Sequence, residues 1–470
     1  MATSPLRFWG TIPLVLDENL ACAQSREHIR AGHKPASHQN QVIPYANKKR
    51  GLRQERVAPS VKTSYAHGRM SRHFLVFGTH PLLSLAELKA VLGGRAPILV
   101  GPMAIVETDE WDGAWLQERL AGTIKLGNIL FSCPRLELTA EKIIAALPKR
   151  EGTSKLTFAV TSYGSGGSLK RLPLELKKAL KASGRSIRWF SDDEGHVSPA
   201  AIAKLELTTT GYDIVVAIDH DTAYVGLTTQ AQNADAWSLR DYGRPARDAR
   251  NGMLPPKLAH MMVNLALGAT SPNPSLVRMG TTLLDPFCGS GTVLMEAALL
   301  DQRLQLIGTD IDARQIADTE QNLDWMVEHQ LISSARRAHI KCLVHDAQTL
   351  HEHLRGSVEL VVTEGFLGRS LQGHETSVQL EREVQTITEL WCATLASLAH
   401  LQPSGGLIVA VWPLFKTTHA VAEVDLTPFL PELEYELIDP LKGWSEQKKP
   451  LIYARADQKT RRRIVVLKRR

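Results

Sequence analysis

Leu283 to Thr292 reads Leu-Leu-Asp-Pro-Phe-Cys-Gly-Ser-Gly-Thr: an apolar run, an acid at its end, and a glycine-rich turn that opens a helix. Such a segment commits the chain to an open α/β sheet, in which ligands lie where parallel strands give way to loops. Gly289 and Gly291 have no Cβ to hold a ligand off the backbone and can take positive φ. The residues after the turn exclude two kinds of loop. A phosphate-cradling loop needs Gly-Lys-Ser/Thr, and the dinucleotide fingerprint needs a third glycine at the helix start. Here the helix opens with Thr292-Val293-Leu294. Asp285 would repel a pyrophosphate but receive the positive end of an amino-acid-like ligand.

Two further apolar runs repeat the arrangement. Leu304 to Gly308 ends at Thr309-Asp310, and an acid at a strand tip can accept both hydroxyls of a ribose. Ile340 to His345 ends at Asp346, placed to accept from an adenine amino group. Three acids at three successive strand ends point to S-adenosylmethionine, held by Asp285, Pro286, Gly289, Gly291, Asp310 and Asp346. The competing reading makes Asp310, Asp312 and Asp346 helix N-caps, a position that aspartate favours. For Asp312 the cap is the expectation.

With these residues the chain resembles the class I methyltransferases, and more narrowly the tRNA guanine-N2-methyltransferases that carry an N-terminal THUMP domain. The resemblance rests on Asp285-Pro-Phe-Cys-Gly-Ser-Gly-Thr292, on Arg240 to Arg250, on Gly252 to Ala259 and on Met262 to Ala266; it covers most of the chain from about His73 onward. It implies an α/β fold in which a ferredoxin-like plus THUMP N-terminal region precedes a Rossmann-like methyltransferase with a mostly parallel seven-stranded sheet.

The substrate motif departs from that family. Amino-methylating relatives have Asp/Asn-Pro-Pro-Tyr/Phe after the fourth strand. Here Val358 to Val362 leads into Thr363-Glu-Gly-Phe-Leu-Gly-Arg-Ser370. Glu364 falls where the acid belongs, Gly365 and Phe366 replace the prolines, and Leu367 stands where the aromatic belongs. An exocyclic amine is a poor nucleophile until its lone pair leaves the ring, so a site must hold it by hydrogen bonds and align it with the methyl carbon. Glu364 can accept those bonds and Phe366 can supply a stacking face. Gly365 and Gly368 leave room for a base near the backbone. The alternative is a strand-end loop that has lost catalysis.

At 470 residues the chain exceeds what one hydrophobic core usually holds. No apolar stretch approaches the roughly 20 residues of a membrane span. Five scattered cysteines contain no Cys-x-x-Cys pair, which implies neither a disulfide framework nor a zinc site. Cys288, inside the turn, is expected to be a small packing residue. A cytoplasmic protein with no metal and no membrane partner is the expectation.

The net charge of +6 is unevenly spread. Residues 1–69 carry 11 Lys/Arg against 4 Asp/Glu and lack sustained periodicity, which reads as a disordered basic tail. Glu141 to Arg188 holds 11 Lys/Arg against 3 acids. Lys170, Arg171, Lys177, Lys178, Lys181 and Arg185 make it a candidate RNA-binding face. Its alternative is a solvated amphipathic helix, with Leu172, Leu174, Leu176 and Leu180 inward. Without interleaved aromatics, folded RNA is favoured over single strands.

The expected organisation is a tail (1–69), a ferredoxin-like domain (70–137), a THUMP-like RNA-binding domain (138–232), a linker (233–252) and a methyltransferase domain (253–470). In the second of these, Ser84-x-x-Glu87 reads as a capping box. Arg240, Arg244, Arg247 and Arg250 of the linker are assigned to covering the cofactor or to RNA. Leu451 to Arg455 and Ile464 to Lys468 read as an edge hairpin, with Arg461 to Arg463 either touching RNA or forming a solvated edge that resists aggregation.

The resulting expectation is an S-adenosylmethionine-dependent RNA methyltransferase that acts on the N2 amine of a guanosine in the tRNA core, with tRNA as partner. The sequence leaves open a small activator subunit. It also leaves two other functions: a catalytically silent RNA-binding protein, and an amino-methyltransferase acting on another nucleic acid or on protein.

Overall fold

Two mixed sheets, one in each half of the chain, organise the computed structural model. It describes residues 71–151, 155–164, 169–182, 184–191, 196–247, 253–270, 280–446, 449–455 and 458–470. All of these belong to one unit, residues 67–470. The tail assigned to 1–69, and Arg250, lie outside the described residues.

The N-terminal half begins β1 (Ser71–Phe77), α1 (Pro81–Leu92), β2 (Ile98–Val100), β3 (Met103–Thr108), α2 (Gly113–Arg119) and β4 (Thr123–Pro134). It continues α3 (Ala140–Ala146), β5 (Leu156–Gly164), α4 (Leu172–Lys181), β6 (Ile187–Phe190), α5 (Pro199–Lys204), β7 (Tyr212–Asp219) and β8 (Thr222–Ala231). The stretch 98–108 is a hairpin that turns at Gly101 (φ 59°). Residues 70–137 and 138–232, expected as separate domains, share one eight-stranded sheet in the order β2-β3-β1-β4-β8-β7-β5-β6. They are joined where β4 pairs antiparallel with β8. The Lys125 ammonium on β4 reaches the Asp213 carboxylate on β7 at 2.8 Å, and Thr228 of β8 donates to the same carboxylate at 2.5 Å. Both charges are fully buried, so the pair ties the two halves of the sheet at its centre.

The C-terminal half runs α6 (Ala234–Tyr242), α7 (Pro256–Thr270), β9 (Thr282–Asp285), α8 (Thr292–Leu300), β10 (Gln305–Asp310), α9 (Ala313–Glu328), α10 (Ser334–Arg337), β11 (Ile340–Val344), α11 (Leu350–His353), β12 (Leu360–Glu364) and α12 (Ser377–Leu401). It closes with β13 (Leu407–Lys416), β14 (Val421–Glu423), β15 (Tyr435–Ile438), β16 (Leu451–Tyr453) and β17 (Thr460–Arg469). The sheet has nine strands rather than seven, in the order β11-β10-β9-β12-β13-β17-β15, with β14 on β13 and β16 on β17. The first five strands are parallel, whereas β17 runs antiparallel between β13 and β15. The edge hairpin is therefore corrected: β16 pairs with the start of β17, at Arg462 to Ile464, and the sheet ends on β15.

The expected linker also differs, because residues 234–242 form α6, capped by the Asn233 side chain. Ser84 and Glu87 are no capping box. Pro81, pre-set for a helix start, opens α1 one turn earlier, and both residues are buried inside the helix. The Glu87 carboxylate accepts from Ala121 N (2.9 Å), Gly122 N (2.8 Å) and the Asn264 amide of α7 (2.8 Å). Beside it, His260 of α7 bridges Arg119 O and Glu296 of α8, and Arg240 of α6 holds the other Glu296 oxygen. At Gly268 a Cβ would stand 2.1 Å from the Ala90 carbonyl, so glycine lets α7 lie directly on α1. One apolar core runs from α1 through α7 and α8 to β9, β10, β12 and β13. The two sheets are thus held by a common core and a buried polar network.

Candidate active site

The ends of β9, β10, β11 and β12 open on one cavity of about 850 Å³. Its wall includes Asp285, Pro286, Gly289, Asp310, Asp346, Glu364 and Phe366, so the separate strand-end residues of the sequence reading converge there. Gly291 lies behind that wall as the residue before α8, with φ 84°. A Cβ on Gly291 would meet Thr319 of α9 at 2.8 Å, whereas one on Gly289 (φ 52°) would find only Gln315 Oε1, at 3.8 Å. The first glycine bares the backbone towards the cavity and the second lets α9 approach.

α9 holds the turn from behind. Thr319 Oγ1 donates to Gly289 O at 2.6 Å, and the Asn322 amide donates to Ser290 O at 2.8 Å and Ala246 O at 2.9 Å. Asp310 holds it from the side, accepting from Gly289 N and from Asp312 N, each at 3.0 Å. Each Asp310 oxygen keeps a second acceptor position, since a carboxylate offers about four. Asp312 is the N-cap of α9, as expected. Asp346 combines both readings: it lines the cavity and accepts from Gln348 N at 2.9 Å.

Asp285 is 2% exposed. Its hydrogen bonds come from the Thr363 hydroxyl (2.6 Å) and Phe287 N (3.2 Å), both neutral. Burial pushes its carboxyl up to about 7, and the charges of Asp310 and Glu364 add to the rise. A buried carboxyl in this state is poised to be ionised by an incoming cation. Cys288 is buried against Gly308 and Thr319, and burial pushes its thiol up, which agrees with a packing role.

β12 extends two residues beyond the run read from the sequence, and Glu364 is its last residue, paired with Val411 of β13. Arg462 of β17 reaches over the β13 end to hold it: Nε donates to Oε1 at 2.5 Å and a terminal NH2 to Oε2 at 3.1 Å. Both side chains are nearly buried, at 11% and 6% exposure. Burial pushes the Glu364 carboxyl up from its ordinary value, and the Arg462 guanidinium opposes the rise. The solvated edge expected at Arg461 to Arg463 therefore fails at Arg462, which lines the cavity. Phe366 is 47% exposed on the cavity wall. Gly365 and Gly368 both line the cavity, and the Cβ position of Gly365 is taken by the Trp391 ring, 2.8 Å away.

The four arginines of residues 235–250 split. Arg240 pairs with Glu296, and buried Arg244 donates to Thr292 Oγ1 at 2.7 Å, bracing the helix after the turn rather than covering the cavity. Arg247 is exposed over the Tyr242 ring.

Residues 244–404 match the RMKL-like methyltransferase domain. Among curated proteins, the chain is 29% identical over 214 residues to the tRNA (guanine(10)-N2)-dimethyltransferase of Methanocaldococcus jannaschii, covering 44% of this chain and 53% of that one. It is 36% identical over 133 residues to the enzyme of the same name from Methanothermobacter thermautotrophicus, covering 28% and 33%. The ribosomal RNA large subunit methyltransferase K/L of Shewanella oneidensis is 31% identical over 148 residues, covering 32% and 18%. The match thus spans about half the length of the first relative and about a third of the second. The crystal structure of TrmN from Thermus thermophilus superposes with a TM-score of 0.48 at 17% identity, covering 86% of this chain and 100% of that one.

The matched methyltransferase domain contains β9 to β12 and α12, and hence the turn, the three strand-end acids and the Glu364 loop. Arg462 lies outside it. Sequence reasoning missed Thr319, Asn322, Thr363 and Arg462, none of which carries a local signal, and Ile311, which is 71% exposed on the cavity wall beside Asp310.

The basic residues stand apart from this cavity, and none of the six lines it. α4 buries Leu172, Leu176 and Leu180 and exposes Lys178 and Lys181, with Lys177 half-buried; Leu174, expected inside, is 56% exposed. Lys170 and Arg171 are exposed just before the helix, and half-buried Arg185 donates to Arg150 O at 2.8 Å. Among the described residues no group of three or more His, Cys, Asp or Glu side chains is arranged to hold a metal, and no helix is long and apolar enough to cross a membrane.

Proposed function

We propose that this chain is an S-adenosylmethionine-dependent RNA methyltransferase that modifies the exocyclic N2 amine of a guanosine in tRNA. The observation that carries the reading is the convergence of Asp285, Asp310, Asp346, Glu364 and Phe366 on one cavity beside the bare backbone of Gly289. The names of the two archaeal relatives support tRNA and guanine N2.

The residues fit the cofactor. Asp285, buried and without a cationic hydrogen-bond partner, receives the ammonium. Gly289 and Pro286 face the amino-acid portion, Asp310 takes the ribose hydroxyls, and Asp346 takes the adenine amine, with Ile311 beside the ring. When bound, S-adenosylmethionine supplies an electrophilic methyl group. Glu364 then accepts a hydrogen bond from the substrate amine, and Phe366 stacks on the base, which fixes the amine for in-line attack. Lys170, Arg171, Lys177, Lys178, Lys181 and Arg185 contact the tRNA backbone by charge. The working compartment is the cytoplasm.

One observation favours a second reading. Both Glu364 oxygens are already engaged by Arg462, as a purely structural ion pair would require, and that would make the chain a silent RNA-binding protein. Incubation with methyl-labelled S-adenosylmethionine and unmodified tRNA, ribosomal RNA, DNA or bulk protein separates the readings. Label in tRNA, reduced at least about tenfold by Glu364→Gln and by Phe366→Ala, is the expected result. RNA binding without label supports the silent protein, and label in another polymer displaces tRNA from the reading.

A further inference from the structure

A carboxylate that must accept a hydrogen bond from an amine has to stay ionised, and burial works against that. Glu364 sits at the buried end of β12, and the groups around it pull in both directions. Asp285 from β9 and Asp310 from β10 are acidic neighbours in the same cavity, and Asp346 lines it from the end of β11. On the other side stand Arg462 of β17, with Tyr453 of β16 beside it, and Lys459, just before β17. Arg369, on the loop after β12, is engaged by Glu383 of α12. Of the cations, Arg462 forms the two-bond fork to Glu364. A fork of this kind occupies one acceptor position on each carboxylate oxygen and leaves one on each.

We propose that Arg462 is the positioning residue of the substrate acid: it keeps Glu364 ionised, fixes its rotamer, and leaves one acceptor position on each oxygen for the substrate amine. The assignment rests on reading Glu364 as the acceptor. The same segment steadies the loop that carries Phe366, since Lys459 Nζ donates to Gln372 O at 2.5 Å and to Leu371 O at 3.4 Å. The start of β17 therefore supports both halves of the substrate wall, across nearly a hundred residues of sequence. It also explains how glutamate serves where relatives of the resembling family have a shorter side chain: the fork removes the freedom that the extra methylene introduces.

The test is single-turnover methyl transfer by the full chain to unmodified tRNA transcripts, from about pH 6 to about pH 9, with S-adenosylmethionine saturating at every pH and its affinity measured in parallel by calorimetry. Activity that needs ionised Glu364 is lost as pH falls through its pKa. Removing the cation raises that pKa, so Arg462→Gln is expected to move the acid limb up by at least about one pH unit. It should slow transfer at neutral pH by about tenfold or more, with partial recovery in alkali and cofactor affinity within about twofold of wild type. Arg462→Lys keeps a point charge but not the fork, so its limb stays near that of wild type while its rate falls. Adding Arg462→Gln to Glu364→Gln should cost nothing further. A rate loss equal at every pH, or wild-type kinetics in Arg462→Gln, overturns the proposal. Should that variant fail to fold, wild-type kinetics in Arg462→Lys overturns it instead. Full transfer by Glu364→Gln alone overturns the acceptor reading, and with it the proposal.

Discussion

At the scale of single residues, Asp285 gives the most direct pH signature. Its carboxyl holds a proton up to about 7 in the cofactor-free protein and must release it to pair with an ammonium. S-adenosylmethionine affinity is therefore expected to rise with pH up to about 7 and level above it, and Asp285→Asn to weaken binding roughly a hundredfold and flatten the profile, as calorimetry would record. The cofactor-free fold has the opposite slope. The unfolded chain releases this proton near pH 4, at about the ordinary aspartate value, so the stability due to this group falls from about pH 4 to about 7. Gly291→Ala places a Cβ 2.8 Å from Thr319 at φ 84°; a loss of about 1–3 kcal/mol is expected in urea unfolding. Asp285, Asp310 and the two glycines were legible because an apolar run ending in an acid and a turn is a local pattern. Arg462 was not legible, because its partner lies 98 residues away and its own neighbours, Arg461 and Arg463, read as a charged edge.

At the scale of elements, α4 presents its lysines away from the core that Leu172, Leu176 and Leu180 share with α3 and β5 to β8. Replacing Lys177, Lys178 and Lys181 with alanine should weaken RNA binding and reduce the salt slope by about 0.7–0.9 for each phosphate that is no longer neutralised; an unchanged slope would remove this face from the interface. The packing of α1 on α7 tolerates no side chain at Gly268, and Gly268→Ala is expected to lower the unfolding free energy by about 1–3 kcal/mol or more. Long apolar strands and helices were readable from periodicity. β15 was not, because its four residues show no alternation, a buried tyrosine being followed by two exposed residues and a half-buried one, and it is a strand only because β17 lies beside it. The Ser84-x-x-Glu87 pattern misled for a related reason: Glu87 answers to the backbone N–H groups of Ala121 and Gly122, far along the chain, rather than to its own helix start.

At the scale of the whole molecule, the N-terminal sheet and the C-terminal half are bound by one core and by the Glu87, Asn264, His260, Glu296 and Arg240 network. Residues 67–470 should therefore unfold in one calorimetric transition whose van't Hoff and calorimetric enthalpies agree; two resolved transitions would contradict the shared core. That arrangement would fix an RNA-contacting face on α4 relative to the cavity, so that binding in one half sets which nucleotide reaches Glu364. The most direct measurement is the identity of the nucleoside labelled when unmodified tRNA transcripts are incubated with methyl-labelled S-adenosylmethionine and digested. Labelled N2-methylguanosine, strongly reduced with Asp285→Asn at limiting S-adenosylmethionine, is the expected result; label in any other nucleoside, or none with RNA still bound, would contradict guanine-N2 transfer at this cavity.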